Sequence, residues 1–241
     1  GKVMPNDGVE DSKVISDRYI GESAIANFMN DAIVERSKFW PTGAVDFAAF
    51  NATGMRGVDM KGDLTYDEWY KVMPYADEIY IYSITGAQLK EIIEDNARRV
   101  VRPEELATNG GPLDPNKFIP RGFQHYSSGI RYEIELGKDA LDTKAKKIVV
   151  NGKPIETVLD QKFRVAFNSY VANGREGFAG EAIKGLPEQI KGYDLKGLRA
   201  TSAFNTYLLY RGQIIDYIRE DAKGVVSTET GARYDGRVAV K

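Results

Sequence analysis

Asn51-Ala52-Thr53-Gly54-Met55-Arg56 follows the run Ala44-Val45-Asp46-Phe47-Ala48-Ala49-Phe50, which is too short for a typical helix and apolar enough for a buried strand. The hexapeptide therefore stands at a strand end. A tight turn with a glycine lets backbone N–H groups approach a ligand, and an asparagine and an arginine at its two ends supply a neutral donor and acceptor and a forked cation. That combination suits a polar, anionic ligand. Alone, such a stretch is more often turn chemistry with a solvated charge than a ligand site, so its weight depends on its surroundings.

Upstream, residues 22–33 place Ile25, Phe28, Met29, Ala32 and Ile33 at helical spacing, which predicts a helix with one buried face. Downstream, Thr65-Tyr66-Asp67-Glu68 and Thr85-Gly86-Ala87-Gln88 are capping boxes. The first predicts a short helix running towards Met73-Pro74. The second predicts a helix with Leu89, Ile92, Ile93 and Ala97 on one stripe and Arg98 and Arg99 in its last turns, where cations favour the dipole. Between them, the alternation Asp77-Glu78-Ile79-Tyr80-Ile81-Tyr82-Ser83-Ile84 reads as a strand. Residues 103–122, rich in Pro, Gly, Asn and Asp, read as a long loop of the kind that is functional or disordered. Strands are expected at residues 129–136, 147–150 and 163–167. The last runs into Asn168-Ser169-Tyr170-Val171-Ala172-Asn173-Gly174-Arg175-Glu176-Gly177-Phe178, a second candidate ligand loop in which two glycines bracket charged residues. A long helix is expected over residues 204–221, burying Phe204, Tyr207, Leu208, Ile214, Ile215 and Ile218, with residues 236–240 closing a sheet edge.

The 241 residues suit one large domain. A hydrophobic fraction of 42% and a charged fraction of 28% are those of a soluble globular protein. No apolar run approaches the ~20 residues of a membrane span. A net charge of −2 offers no basic field for nucleic acid, and the absence of cysteine excludes disulfides and thiolate metal sites. Gly1-Lys2-Val3-Met4-Pro5 lacks the pattern of a signal peptide and reads as a cut, so a fragment of a longer protein is expected. The one histidine, His125, cannot build a metal centre and reads as a loop histidine without special chemistry. Asp67 and Glu68 could be imagined holding Mg²⁺, but they sit where capping and solvated first-turn acids belong.

Taken in order, Asn27-Phe28-Met29-Asn30-Asp31-Ala32, the Asn51 to Arg56 turn, Gly62-Asp63-Leu64-Thr65, Ile84-Thr85-Gly86-Ala87-Gln88-Leu89, Ser128-Gly129-Ile130-Arg131-Tyr132, Asn151-Gly152-Lys153-Pro154-Ile155, Ala172 to Phe178, Asp216-Tyr217-Ile218 and Asp235-Gly236-Arg237-Val238 form a series. That series resembles the C-terminal domain of the 5'-nucleotidases, the group that includes periplasmic UDP-sugar hydrolases and 2',3'-cyclic-nucleotide phosphodiesterases. The resemblance implies an α+β fold, a mixed sheet with packed helices, over residues 1–241. Residues 1–15 would then be a linker from a missing N-terminal metallophosphoesterase domain. That domain would hold two divalent metal ions and do the hydrolysis. This chain would have no cofactor of its own, bind a nucleoside or nucleotide, hydrolyse nothing alone, and belong in the periplasm or outside the cell.

Position by position, the resemblance implies that Arg56 pairs with a substrate phosphate and that Asn51 hydrogen-bonds the nucleoside. Tyr170 falls at one of two rings that sandwich the base, with Phe123 or Tyr126 as the other. Glu176 replaces an aspartate that binds ribose hydroxyls, and Arg18 is the nearest match to a second arginine. Ala52 and Thr53 replace two glycines, so backbone approach to a phosphate is expected to be looser. Arg175 replaces another glycine and either pairs with Glu176 or reads an extra anionic group. The competing expectation is a non-catalytic binding or dimerisation module that has lost nucleotide recognition.

Overall fold

The computed structural model describes residues 16–56, 64–106 and 114–241. The expected linker, residues 1–15, and Gly62-Asp63 of the third motif lie outside them. The chain builds α1 (Asp17–Ile20), α2 (Ala24–Ser37), β1 (Phe47–Asn51), α3 (Tyr66–Val72), β2 (Glu78–Thr85), α4 (Gly86–Arg98), β3 (Gln124–Tyr126) and β4 (Ile130–Glu135). It continues with β5 (Lys144–Val150), β6 (Lys153–Pro154), β7 (Lys162–Asn168), α5 (Ser169–Ala172), α6 (Leu195–Ser202), β8 (Ala203–Leu209), α7 (Tyr210–Asp216) and β9 (Val238–Val240). The fold is α+β, with a mixed five-stranded sheet in the order β3-β1-β7-β2-β8 and a four-stranded sheet in the order β6-β5-β4-β9.

The five-stranded sheet is covered on both faces. Phe47 and Ala49 of β1, with Tyr82 and Ile84 of β2, pack with Leu89, Ile92 and Ile93 of α4 and with Ile130, Ile134 and Val150 of the smaller sheet. The alternate residues Ala48, Phe50, Ile79 and Ile81 pack instead on Phe28 and Met29 of α2, Trp69 of α3 and Ile214 of α7. Double coverage explains why β1 reads as a continuous apolar run. Helix α2 is buried almost all round instead of on one stripe, and its buried amides have partners. Asn27 donates to Glu22 and to the Arg233 carbonyl, while Asn30 donates to the His125 carbonyl and accepts from the Tyr210 hydroxyl.

Both capping boxes form as the sequence predicts. Behind the second, Gly86 is pressed against the β6–β7 connection: its N–H donates to the Gln161 carbonyl, and a Cβ there would fall 2.1 Å from the Val158 carbonyl oxygen. Gly86→Ala should therefore displace backbone and cost about 1–3 kcal/mol, read as a lower denaturation midpoint. A variant within a few tenths of the parent would show that the contact yields freely.

Two expectations need correction and a third gains detail. Residues 204–221 are not one helix: Ala203–Leu209 is an edge strand on β2, with Phe204 41% and Tyr207 78% exposed, and α7 begins only at Tyr210 before a π turn at Tyr217–Asp221. The aromatic and β-branched content of Phe-Asn-Thr-Tyr-Leu-Leu suits a sheet edge, and pairing with β2 overrides its helical spacing. The 103–122 loop carries short 3₁₀ turns at Pro103–Leu106, Pro115–Lys117 and Ile119–Arg121, with residues 107–113 outside the described ones. His125 lies in β3, not in a loop. Its Nε2–H donates to the Arg18 carbonyl at 2.9 Å, and burial pushes its pKa down to about 3, so the ring is neutral.

Candidate functional site

Strands β1 and β7 run parallel, and β2 runs against β7 with Ile79 opposite Asn168. The ends of β1 and β7 and the start of β2 therefore share one edge of the sheet, and Asn51 sits opposite Gln124 on the neighbouring β3. Three connections meet there: residues 51–56, the turn 73–77, and residues 168–178. The turn at 73–77 was not anticipated from the sequence. Its signal was Pro74 and Asp77, turn-forming residues placed directly before a strand.

The 51–56 turn is a single 3₁₀ turn, Ala52–Gly54. Only glycine fits at residue 54, where a Cβ would fall 2.5 Å from the Phe50 ring. Contrary to the expected presentation of N–H groups, those of Ala52, Met55 and Arg56 bond to the carbonyls of Phe123, Ala52 and Val72. Arg18 supports the turn from within: buried, it donates to the Ala52 carbonyl at 3.2 Å and to Ser16 at 2.7 Å.

A chain of side-chain hydrogen bonds joins the connections. Glu176, in the left-handed region at φ 57, accepts on Oε1 from the Thr53 hydroxyl and on Oε2 from Asn51 Nδ2 at 3.1 Å. Asn168 Nδ2 donates to Asn51 Oδ1 at 2.9 Å and to Asp77 at 3.3 Å. Asp77 accepts in turn from the Ser169 hydroxyl at 2.9 Å and the Tyr170 N–H at 3.2 Å. Below Glu176, Arg99 donates to the carbonyls of Glu176 and Arg121, each at 2.7 Å, and pairs with Asp95 at 2.7 Å.

Arg56 and Tyr170 are both tied to the 73–77 turn. The Arg56 guanidinium donates to the Tyr75 hydroxyl at 2.8 Å. Tyr75 lies two residues before Asp77, the carboxylate that accepts from the Tyr170 N–H. The two rings are 46% and 42% exposed. By contrast, Phe123 and Tyr126 are each 1% exposed, enclosed edge-on against His125 and Tyr132. Neither ring has a face to offer a ligand, because β3 is drawn into the interior by the Asn30 and Asn96 amides on its carbonyls. Arg175 makes no ion pair with Glu176 among the described residues, although its charge reaches the Tyr170 hydroxyl.

Burial pushes the Glu176 carboxyl up to about 7, against the opposing pull of the Thr53 hydroxyl, the Arg99 charge and the Asn51 amide. Its ordinary value is 4.5. Between these values the native state keeps a proton that the unfolded chain has lost, so stability falls as pH rises from about 4.5 to about 7 and then levels. Glu176→Gln should remove that fall, so its melting temperature should gain on the parent's between pH 5 and 8. Parallel pH profiles would refute the assignment.

The edge thus offers two exposed rings, an exposed guanidinium, and a carboxylate among amides. Among the described residues no group of three His, Cys, Asp or Glu is placed to hold a metal ion, and no helix is long and apolar enough to cross a membrane.

A family model described as "5'-nucleotidase, C-terminal domain" matches residues 6–183. The probable 5'-nucleotidase of Treponema pallidum (strain Nichols) is 27% identical over 65% of this chain and 24% of its own length. The trifunctional nucleotide phosphoesterase protein YfkN of Bacillus subtilis (strain 168) is 29% identical over 66% of this chain and 10% of its own. The chain thus spans about a quarter or less of these curated relatives. The crystal structure of a 5'-nucleotidase precursor from Thermus thermophilus superposes with a TM-score of 0.66 at 21% identity, covering 96% of this chain and 37% of that one, a likeness of fold.

Proposed function

Because this chain belongs to the family of 5'-nucleotidase C-terminal domains, we propose that its cleft binds a nucleoside or nucleotide. The base lies between Tyr75 and Tyr170, the ribose hydroxyls meet Glu176 with Asn51 beside them, and Arg56 takes the phosphate, which a guanidinium fork suits. Arg175 stands free of Glu176 and is available to a further anionic group. The observation that carries the reading is the turn at residues 73–77: Tyr75 holds Arg56 while Asp77 holds the backbone of Tyr170, so phosphate and base contacts are set by one short segment.

Hydrolysis is assigned to an N-terminal metallophosphoesterase domain of the same polypeptide with two divalent ions. The residues described here do not fit such a centre, since it needs several His, Asp and Asn ligands around a metal pair and the one histidine is buried, neutral and bonded to a carbonyl. On the same family reading the protein acts in the periplasm or outside the cell. Calorimetric titration with adenosine, AMP and UDP-glucose tests the proposal. Saturable binding of adenosine and AMP, tighter for AMP, is the expected result; no saturation with any of the three overturns it. The second reading, a module that has lost nucleotide recognition, draws on Glu176 being satisfied already by Thr53, and the same titration decides between them.

A further inference from the structure

Both oxygens of Glu176 have donors from within the chain, the Thr53 hydroxyl on Oε1 and the Asn51 amide on Oε2. The Asn51 amide also donates to the Thr53 oxygen at 2.5 Å, so three side chains close a ring. Glu176 is held in place from behind. Arg99 grips its carbonyl, and the Gly122 backbone is so near that a Cβ there would fall 2.4 Å from Oε2. A ligand hydroxyl that reaches this carboxylate meets a group that Thr53 already serves.

We propose that Thr53 is a specificity-determining residue whose hydroxyl stands in for a ligand hydroxyl on Glu176, so that the cleft takes deoxyribonucleosides with nearly its affinity for ribonucleosides. The inference rests on the nucleoside reading of the cleft. Ribose brings two adjacent O–H donors to Glu176. If one displaces Thr53, a hydroxyl is exchanged for a hydroxyl and little is gained. A deoxy sugar that lacks the hydroxyl facing Oε1 leaves that oxygen to Thr53, while Oε2 is served by the remaining sugar hydroxyl or by Asn51, so no oxygen of the carboxylate is stranded. Strong rejection of a ligand that lacks a hydroxyl arises when the missing group leaves a buried polar partner unpaired. The Thr53 hydroxyl prevents that outcome. It lies on a one-turn 3₁₀ segment beside a glycine and is only partly buried, so its replacement disturbs little packing.

The test is calorimetric titration of the parent chain, Thr53→Ala and Thr53→Ser with adenosine, 2'-deoxyadenosine and 3'-deoxyadenosine, with melting curves to verify that all three chains fold alike. The quantity read is the ratio of each deoxynucleoside's dissociation constant to that of adenosine. Thr53→Ala should raise one of the two ratios about tenfold or more, that of the sugar lacking the hydroxyl that faces Oε1, because that oxygen then has no donor, and Thr53→Ser, which keeps the hydroxyl, should restore the parent ratio. If Thr53→Ala raises neither ratio, or Thr53→Ser fails to restore the one it raises, the inference is overturned and the nucleoside reading stands. Absence of adenosine binding to the parent chain overturns both.

Discussion

Arg99→Ala is expected to lower the unfolding free energy by about 3–5 kcal/mol, the range found when one partner of a buried ion pair is removed. In a chain of this length that is a fall in melting temperature on the order of 10 °C. Arg99 is fully buried, and its fork binds the Asp95 carboxylate and two carbonyls while its guanidinium carbon lies 3.8 Å from the centre of the Phe178 ring. With alanine, Asp95 would keep only the Tyr193 N–H on one oxygen and nothing on the other. Lysine should not rescue the loss, since a point charge cannot serve a carboxylate and two carbonyls at once or stack on a ring. The same variant should weaken ligand binding, because the Glu176 carbonyl loses its anchor. Chemical denaturation measures the first effect; a loss below about 1 kcal/mol would mean that the buried pair contributes no more than a surface one.

Tyr170→Ala should weaken adenosine binding by about 1–3 kcal/mol, or roughly 5- to 150-fold, the loss of one stacking surface. Tyr170→Phe should bind as the parent does, because the ring and not the hydroxyl makes the contact. Tyr75 is the more discriminating position. Tyr75→Ala should reduce affinity for adenosine and AMP alike, whereas Tyr75→Phe should spare adenosine and weaken AMP, since only the tether to Arg56 is lost. In a double-mutant cycle with adenosine, the two alanine variants should couple, each ring being worth less without the other. Equal affinity of the parent and Tyr170→Ala for adenosine would remove the base from between these rings.

Local chemistry was the part of the molecule legible in the sequence. Thr65 with Glu68 and Thr85 with Gln88 marked two helix starts because a capping box is complete within four residues. The run into Asn51 marked a buried strand because its sheet is covered on both sides. What failed depended on distant partners. Residues 204–209 have helical spacing, but their fate is decided by the open edge of β2. Helix α6, short and buried only at Leu195, gave no periodic signal although Asp194 caps it by accepting from the Gly197 N–H. Strand β3 is three residues long, too brief for any alternation to show. At the sheet edge, residue chemistry pointed to Asn51 and Arg56 and the family resemblance to Tyr170 and Glu176, and the structure brings these four residues to one edge. Phe123 and Tyr126 were chosen by position beside Ser128-Gly129, and burial, a long-range property, takes both rings inside. Tyr75 carried no local mark beyond the proline before it.

The three connections at the candidate site grow from β1, β7 and β2, which are neighbours in one sheet. Their footings are therefore set apart by whole steps of about 4.8 Å, a pitch fixed by main-chain bonding that no side chain can alter. The sheet acts as a ruler for whatever enters. Point substitutions can recoat the walls of the gap, but admitting a thicker guest requires lengthening a loop, so insertions and not exchanges should mark any descendant that has turned to bulkier molecules.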